Sequence, residues 1–278
     1  MPARNEELVL AHQLDALARQ TAEVGWELVV VDNGSSDRTA AIATSYADRI
    51  PGLRVIHEPT LGLYHARRAG VIAARADRLA FCDADDVVSD RWVASMADAL
   101  DEYEVATGPL DLELLNEADL RDMRGHNEDK GLPTFYGLFP YARGNNFGVR
   151  RELFDRLGGF DAAYTGGEDI EFGMRAAWSN VEIGFAEGAL VNYRYRTTPR
   201  QLWRQGFMYG RVRPKMRAAL IEHGSAAPSP FAGWRSWLWL LRSLPQATTR
   251  AGRSNIAWVA GNRLGQLVGS WRARRVFV

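Results

Sequence analysis

Leu79-Ala80-Phe81-Cys82-Asp83-Ala84-Asp85-Asp86 decides the fold: an apolar run ends abruptly in a segment carrying three carboxylates. An apolar run of this length, bounded by polar residues, predicts a buried strand. Its carboxylates then stand just past the strand's C-terminal end, the edge of an open α/β sheet where ligands bind. Asp83 and Asp85 alternate with Ala84, whose small side chain leaves room for a ligand. Crowded carboxylates repel one another unless a cation sits among them, and magnesium or manganese favours such hard oxygen ligands. Magnesium takes few protein carboxylates and shares its other positions with substrate phosphates. The run therefore predicts a metal–nucleotide site.

Outward from this strand, the first ~190 residues alternate strand and helix signals, which predicts α/β architecture. Asn5 is expected to cap a helix reaching Gln20, with Leu8, Ala11, Leu14 and Leu17 on its buried face. Glu27 to Asp32 reads as a strand, Gly34-Ser35-Ser36 as a turn, and a helix follows through Tyr46. Leu53 to His57 is a further strand, and a helix runs from Leu63 to about Ala76. Ser89 or Asp90 is expected to cap a helix through Leu100. Residues 111–141, with scattered charge, Gly131, Pro133 and Pro140, read as loops covering a site. Asn145 to Val149 reads as a strand, Gly167-Glu168-Asp169 opens a helix, and Val181 to Phe185 and Ala189 to Tyr193 are short strands.

The 278 residues, 24% charged and 46% hydrophobic, are globular in composition. A single cysteine, Cys82, excludes an internal disulfide and a cysteine-based zinc cluster, and suits a reducing cytoplasm. The polar start Pro2-Ala3-Arg4-Asn5-Glu6-Glu7 is no secretory signal, and no run nears the ~18 apolar residues of a membrane span. The net charge is zero but unevenly spread: residues 1–193 hold 18 Lys+Arg against 33 Asp+Glu, and residues 194–278 hold 16 against the single Glu222. That asymmetry predicts an acidic body and a basic extension with different tasks. The extension places Trp234, Trp237 and Trp239 among arginines, and Ile256 to Trp271 leads into Arg272-Ala273-Arg274-Arg275. Such helices either lie on an anionic membrane surface or pack their apolar faces on the body. No nucleic-acid module is recognisable and the body is acidic, which argues against that partner.

No single motif is decisive. Asp83-Ala84-Asp85 also fits a turn with a helix cap, or the spacing of haloacid-dehalogenase phosphatases, whose first Asp is a nucleophile. It is no EF-hand loop, because Val87 and Val88 fall where a ligand and the glycine belong. Asp32, ending a second buried strand, can accept from a base or a sugar hydroxyl, or simply form an Asx turn. Gly62-Leu63-Tyr64-His65-Ala66-Arg67-Arg68-Ala69-Gly70 puts Arg67 in the first turns of a helix, where a guanidinium suits phosphate.

Taken in order, the motifs resemble those of inverting glycosyltransferase family 2, with the GT-A fold. The resemblance runs over residues 2–175: Pro2-Ala3-Arg4-Asn5-Glu6, Asp32-Asn33-Gly34-Ser35-Ser36-Asp37, Gly62 to Gly70, Asp83-Ala84-Asp85, Arg151-Glu152 with Gly158-Gly159-Phe160-Asp161, and Gly167-Glu168-Asp169. It implies a Rossmann-like mixed sheet flanked by helices over residues 1–193, with a nucleotide-sugar half (1–110), an acceptor and base half (111–193), and a basic helical extension (194–278). It implies that Pro2, Ala3, Arg4, Glu6, Asp32, Asn33, Gly62, Arg67, Asp83, Ala84 and Asp85 line the nucleotide-sugar pocket. Asp85, with Asp83, would hold manganese or magnesium. Asp169 would be the general base, with Glu168 beside it. The implied partners are a nucleotide-diphosphate sugar and a glycan or lipid-linked acceptor, with the basic extension touching the inner face of the plasma membrane. The alternatives are a phosphatase built on Asp83 and Asp85, and a non-catalytic nucleotide-sugar-binding protein. The phosphatase would need a catalytic lysine, and Lys130 and Lys215 are the only two, neither at a strand end.

Several features depart from the family pattern. Asn33 stands for an Asp, and Arg68 for an Asn. Val191-Asn192-Tyr193-Arg194-Tyr195 lacks the late-strand His, leaving Arg194 as a candidate to assist the diphosphate. The apolar strand that precedes Pro-x-x-Asn-Glu in the family is absent, so the natural chain is expected to start upstream of Met1. Gln201-Leu202-Trp203-Arg204-Gln205 resembles the Gln-x-x-Arg-Trp of polymer synthases without its final Trp, which points to transfer of one or a few sugars.

Overall fold

The computed structural model describes residues 1–121, 131–274 and 277. Part of the loop region read over 111–141, and Arg275 at the basic end, lie outside the described residues.

The chain opens with β1 (Pro2–Ala3), α1 (Leu10–Ala18), β2 (Val29–Asp32), α2 (Thr39–Thr44), β3 (Arg54–His57) and α3 (Leu63–Ala73). The β-branched run of β2 is buried along its whole length, as expected of a strand covered on both faces. It pairs in parallel with β1 on one side and β3 on the other. The acidic strand follows as β4 (Arg78–Cys82), then β5 (Val87–Val88), α4 (Trp92–Glu102), β6 (Val105–Thr107), β7 (Leu110–Asp111) and α5 (Ala118–Arg121). After a small hairpin of β8 (Thr134–Phe135) and β9 (Phe139–Pro140) come β10 (Asn146–Arg150), α6 (Arg151–Arg156), α7 (Glu168–Trp178), β11 (Ile183–Phe185) and β12 (Val191–Asn192).

The second sheet is mixed, in the order β11-β6-β10-β4. β10 is antiparallel to both neighbours, and β11 is parallel to β6. β12 joins β5 and β7 in a third short sheet, which carries the chain back beside the acidic run. A cavity of about 340 Å³ lies between β2 and β4, lined by Val29, Leu79, Phe81 and Trp92 among others. At its edge the Met1 ammonium donates to the Val29 carbonyl at 2.9 Å, and burial pushes its pKa down. The result is a Rossmann-like mixed sheet architecture flanked by helices, the GT-A fold.

Five phenylalanines explain one motif physically. Phe81, Phe147, Phe154, Phe160 and Phe172 pack edge-to-face, tilted or, for Phe154 and Phe172, stacked, at 5.2–6.2 Å. Phe160 of Gly158-Gly159-Phe160-Asp161 is thus a core residue. The two glycines turn the chain into place with φ of +82° and +68°, conformations that cost a non-glycine residue.

Three local expectations need correction. α1 begins at Leu10, not after Asn5: Asn5 sits at φ +55° and its Oδ1 accepts from Ser36 N, so it ties the first loop to the Asp32–Asp37 loop. Leu8 is consequently exposed, and Leu10, Leu14 and Leu17 form the buried stripe. α4 starts at Trp92 without a side-chain cap from Ser89 or Asp90. The region 111–141 holds β7, α5 and the β8–β9 hairpin in its described parts, rather than loop alone.

The basic extension is helical. α8 (Pro199–Glu222) starts with a capping box between Thr198 and Gln201; α9 (Trp234–Arg242) and α10 (Arg250–Ala273) follow. α8 and α10 touch backbone to backbone. A Cβ on Gly206 or Gly210 would collide with carbonyls of Trp258 and Asn262, and one on Gly261, Gly265 or Gly269 with those of Trp203, Phe207 and Arg211. α10 therefore buries its small and polar residues, and leaves Leu264, Leu267 and Trp271 outward. α9 buries no residue at all: Trp234, Leu238 and Leu241 are exposed among its arginines. Among the described residues no helix is long and apolar enough to cross a membrane.

Candidate functional site

β4 delivers its carboxylates where the sequence places them, at its C-terminal end. Ligand oxygens of Asp83, Asp85 and Asp86 lie within 4.8 Å of one another. The three are not equivalent. Asp86 is spent on structure: one oxygen accepts from Asn145 Nδ2 at 2.7 Å, the other from Arg194 N at 2.9 Å. Burial first, then Asp85 and Asp83, hold its pKa well above the usual carboxylate range. Asp83 Oδ1 is buried without a hydrogen-bond donor, with Arg67 Nη2 3.6 Å away. Burial also raises the Asp83 pKa, against the pull of Arg67. Asp85 Oδ2 faces Arg196 Nη1 at 3.0 Å. Asp83 and Asp85 thus offer two hard oxygen donors, one of them lacking a partner, which fits a divalent metal such as magnesium or manganese. The Cys82 thiol adds no ligand, since burial pushes its pKa up to about 11.

The second acidic pair opens α7. Glu168 is buried: Gly166 N and Gly167 N both donate to its Oε2, Oε1 has no partner, and burial raises its pKa. Asp169 accepts from Gly144 N at 2.9 Å through Oδ2 and from Ile170 N through Oδ1. Gly144 links the halves, because its carbonyl accepts from the buried Arg67 at 2.8 Å. A side chain at this glycine would drive into the Arg67 guanidinium.

Both acidic pairs line one cavity of about 830 Å³. Asp83, Asp85, Arg67, Glu168 and Asp169 wall its sheet side. Its far wall comes from the extension: Gln201, Arg204, Gln205, Tyr209 and Arg213 of α8, with Asn255 and Trp258 of α10. The i, i+4 row 201-205-209-213 puts one face of α8 onto the cavity. Met208, Val212 and Met216 pack beneath the Gly166-Gly167 turn that precedes Glu168.

The other predicted residues do not line this cavity. Ala3 is buried in β1, paired with Asp32, and Pro2 is paired with Val31. Asp32 is buried, accepts from Ser35 N, and lies 3.1 Å from His57 Nδ1. Asn33 braces the next loop: its Nδ2 donates to the Glu58 and Thr60 carbonyls, and Gly62 N donates to its Oδ1. Ala84 points into the core, so its small size serves packing. Arg4 is exposed. Glu6 is half-buried and feels Asp85 and Asp83. Burial foremost, then those charges, raises its pKa to about 7.

Arg194 donates through Nε to the Asp85 carbonyl and through its backbone N to Asp86, a structural role. Arg196, two residues on and on the same side of the extended chain, meets the Asp85 carboxylate instead. The alternation Arg194-Tyr195-Arg196 carried that signal. The α8 wall had only the Gln201–Arg204 motif to announce it.

Residues 1–158 match the family model described as Glycosyl transferase family 2, and residues 80–260 match Glycosyl transferase family group 2. The uncharacterized glycosyltransferase EpsJ of Bacillus subtilis is 28% identical over 221 residues, which cover 73% of this chain and 61% of EpsJ. The mannosyltransferase PcManGT from Pyrobaculum calidifontis, solved with GDP-Man and Mn2+, shares the fold with a TM-score of 0.65 at 19% identity, over 98% of this chain and 86% of that one. S. aureus TarS 1-349 in complex with UDP does so with a TM-score of 0.56 at 17% identity, over 99% and 90%.

Proposed function

The chain belongs to glycosyl transferase family 2, and on that footing we propose that it moves a sugar from a nucleotide-diphosphate donor to an acceptor hydroxyl, with inversion and with a divalent metal. The observation that carries this reading is the shared cavity: Asp83 and Asp85 stand on one part of its wall, Glu168 and Asp169 on another.

Residues 1–110 bind the donor, residues 111–193 supply the base, and residues 194–278 close the acceptor side. Asp85 and Asp83 would hold the metal, which would supply positive charge against the departing diphosphate. Arg196 adds a fixed positive charge at the same place. Pro2, Ala3, Arg4, Glu6, Asp32, Asn33 and Gly62 form the loops around the nucleotide. Asp169 takes the proton from the acceptor hydroxyl on the opposite face of the sugar. Its hydrogen bond from Gly144 N fixes the carboxylate in place and leaves lone pairs to spare. Glu168 holds the turn at the mouth of α7.

The acceptor is a glycan or lipid-linked molecule of the cell envelope. The exposed Trp and Leu side chains of α9, interleaved with arginines, support a seat on an anionic membrane surface at its cytoplasmic side. A thermal-shift screen of UDP, GDP and dTDP sugars with and without manganese tests the core of this reading. One nucleotide class should stabilise the protein only with metal, and Asp85→Asn should abolish the effect. No stabilisation by any donor would overturn it.

A further inference from the structure

The α8 wall of the cavity carries a cation that the transfer chemistry does not use, and a second stands behind it on α10. Arg213 lines the cavity from α8. Its Nη1 donates to the Tyr136 hydroxyl at 3.2 Å and to Asn262 Oδ1 at 3.4 Å. Arg263 of α10 donates through Nη2 to the same Asn262 oxygen at 2.9 Å. Two guanidinium groups thus share one neutral amide oxygen. Arg263 is 7% exposed, and among the described residues its Nε and Nη1 have no acceptor. One helical turn further on, Gln266 is 1% exposed, and among the described residues neither of its amide atoms has a partner.

Among the described residues no carboxylate pairs with either arginine. Burial and the neighbouring Arg213 push the Arg263 pKa down. Burying a charge without a counter-ion is expensive, and a like charge beside it adds to the cost. An arginine on the cavity wall, with a second unpaired guanidinium behind it, is what an incoming anion would satisfy, and a guanidinium fork matches the oxygens of phosphate.

We propose that the α8–α10 wall is an anion subsite in which Arg213, backed by Arg263, receives a phosphate group carried by the acceptor. This rests on the transferase reading, since it assigns the acceptor end of the same cavity. The phosphate would belong to a lipid phosphate or to a soluble sugar or polyol phosphate. In either case the true acceptor carries a hydroxyl further along the molecule that reaches Asp169, and a phosphate without one, such as farnesyl phosphate, serves as a binding probe only.

The test is calorimetry on the full chain, first saturated with manganese and the nucleotide diphosphate that it binds. Farnesyl monophosphate in detergent, glycerol 1-phosphate and uncharged farnesol are then titrated. The phosphate-bearing probes should bind and farnesol should not. Tighter farnesyl phosphate binding identifies a lipid phosphate, and tighter glycerol phosphate binding a soluble one. Arg213→Gln and Arg263→Met should each weaken phosphate binding about tenfold, the value of one charge-assisted hydrogen bond, and leave nucleotide binding unchanged. Arg263→Met should also raise the melting temperature, because it removes an uncompensated buried charge. The subsite is refuted if neither phosphate binds to nucleotide-loaded protein, if both variants bind phosphate as wild type does, or if Arg263→Met melts lower with phosphate binding intact. Absence of nucleotide binding in the wild type would instead count against the transferase reading.

Discussion

Arg196 Nη1 lies 3.0 Å from Asp85 Oδ2, so the carboxylate best placed to hold a divalent ion already faces a fixed cation. An arginine and a metal on one carboxylate repel each other. The metal therefore competes with Arg196 for the Asp85 charge, and a donor diphosphate offers the guanidinium a further partner at the same place. Arg196→Gln should bind manganese more tightly in the absence of nucleotide, by about fivefold, near the upper worth of a partly exposed ion pair of about 1 kcal/mol. The same variant should bind the nucleotide diphosphate more weakly. Electron paramagnetic resonance of manganese, with and without nucleotide, reads both. Equal manganese affinity in the two proteins would show that the pair does not compete with the ion.

Asp169 is held by Gly144 N, a hydrogen bond that an asparagine oxygen can also accept. Asp169→Asn should therefore keep the fold and metal-dependent donor binding, and lose the base. Transfer should fall by about 10²–10⁴, the usual worth of general-base catalysis. Asp86→Asn is the contrasting case. It disturbs the bonds to Asn145 and Arg194, so it should lower the melting temperature along with activity. Undiminished transfer by Asp169→Asn would remove it from the mechanism.

Glu6 gives the metal-free protein a pH dependence of defined sign. Its pKa rises from 4.5 to about 7 on folding, through burial and the charges of Asp85 and Asp83. Between those values the folded state binds more protons than the unfolded one, so stability falls as pH rises through the window. The stabilisation is complete below pH about 4.5 and gone above about 7. Glu6→Gln should raise the melting temperature at pH 8 relative to wild type, and the difference should vanish near pH 5. Manganese should shrink it at pH 8 by neutralising the aspartates. Parallel melting curves for the two proteins across this range would show that Glu6 does not feel the acidic cluster.

Much of this was legible because buried strands and turn residues announce themselves locally. The apolar runs before Asp32 and Asp83 read as strands, and both acids fall at the predicted sheet edge. Local reading could not separate ligand from scaffold within a motif. Asn33, Ala84 and Phe160 sit in motif positions, yet their side chains brace a loop or fill the core. Asp86 looks like Asp83 in the sequence and differs only in having both oxygens occupied. The cavity's far wall was less visible, because α8 is polar and carries Pro214 in its interior. Its place is fixed by glycines that let α10 approach, a contact between residues some fifty positions apart.

That glycine contact makes the α8–α10 pair brittle. A methyl group on Gly210 would meet the Asn262 backbone, and one on Gly265 the Phe207 backbone, where no rotamer change gives relief. Gly210→Ala and Gly265→Ala should each cost about 1–3 kcal/mol, the range for overpacking, by chemical denaturation. Gly131→Ala, where the added carbon meets nothing within 4 Å among the described residues, is the control and should cost little. Because α8 walls the cavity, the two destabilised variants should lose acceptor use before donor binding.

The last prediction concerns α9, whose apolar residues the fold leaves uncovered. Trp234, Leu238 and Leu241 are 51%, 41% and 68% exposed, and Leu244 just beyond is 61% exposed, so packing on the body does not explain them. Arg235 and Arg242 flank them, and no acid lies between residues 223 and 278. A bilayer surface can take both kinds of side chain at once, the apolar groups inserting and the arginines meeting lipid phosphates. The protein should co-sediment with phosphatidylglycerol vesicles and not with phosphatidylcholine, and binding should weaken as salt screens the charges. Trp234→Ala with Leu241→Ala should lower partitioning by roughly tenfold per side chain, as about 1.5 kcal/mol of apolar burial is lost at each. Transfer to a water-soluble acceptor should be unchanged, since α9 lies outside the set of residues that line the catalytic cavity. Partitioning that is equal for the two lipids, or indifferent to these substitutions, would assign the exposed face to some other contact.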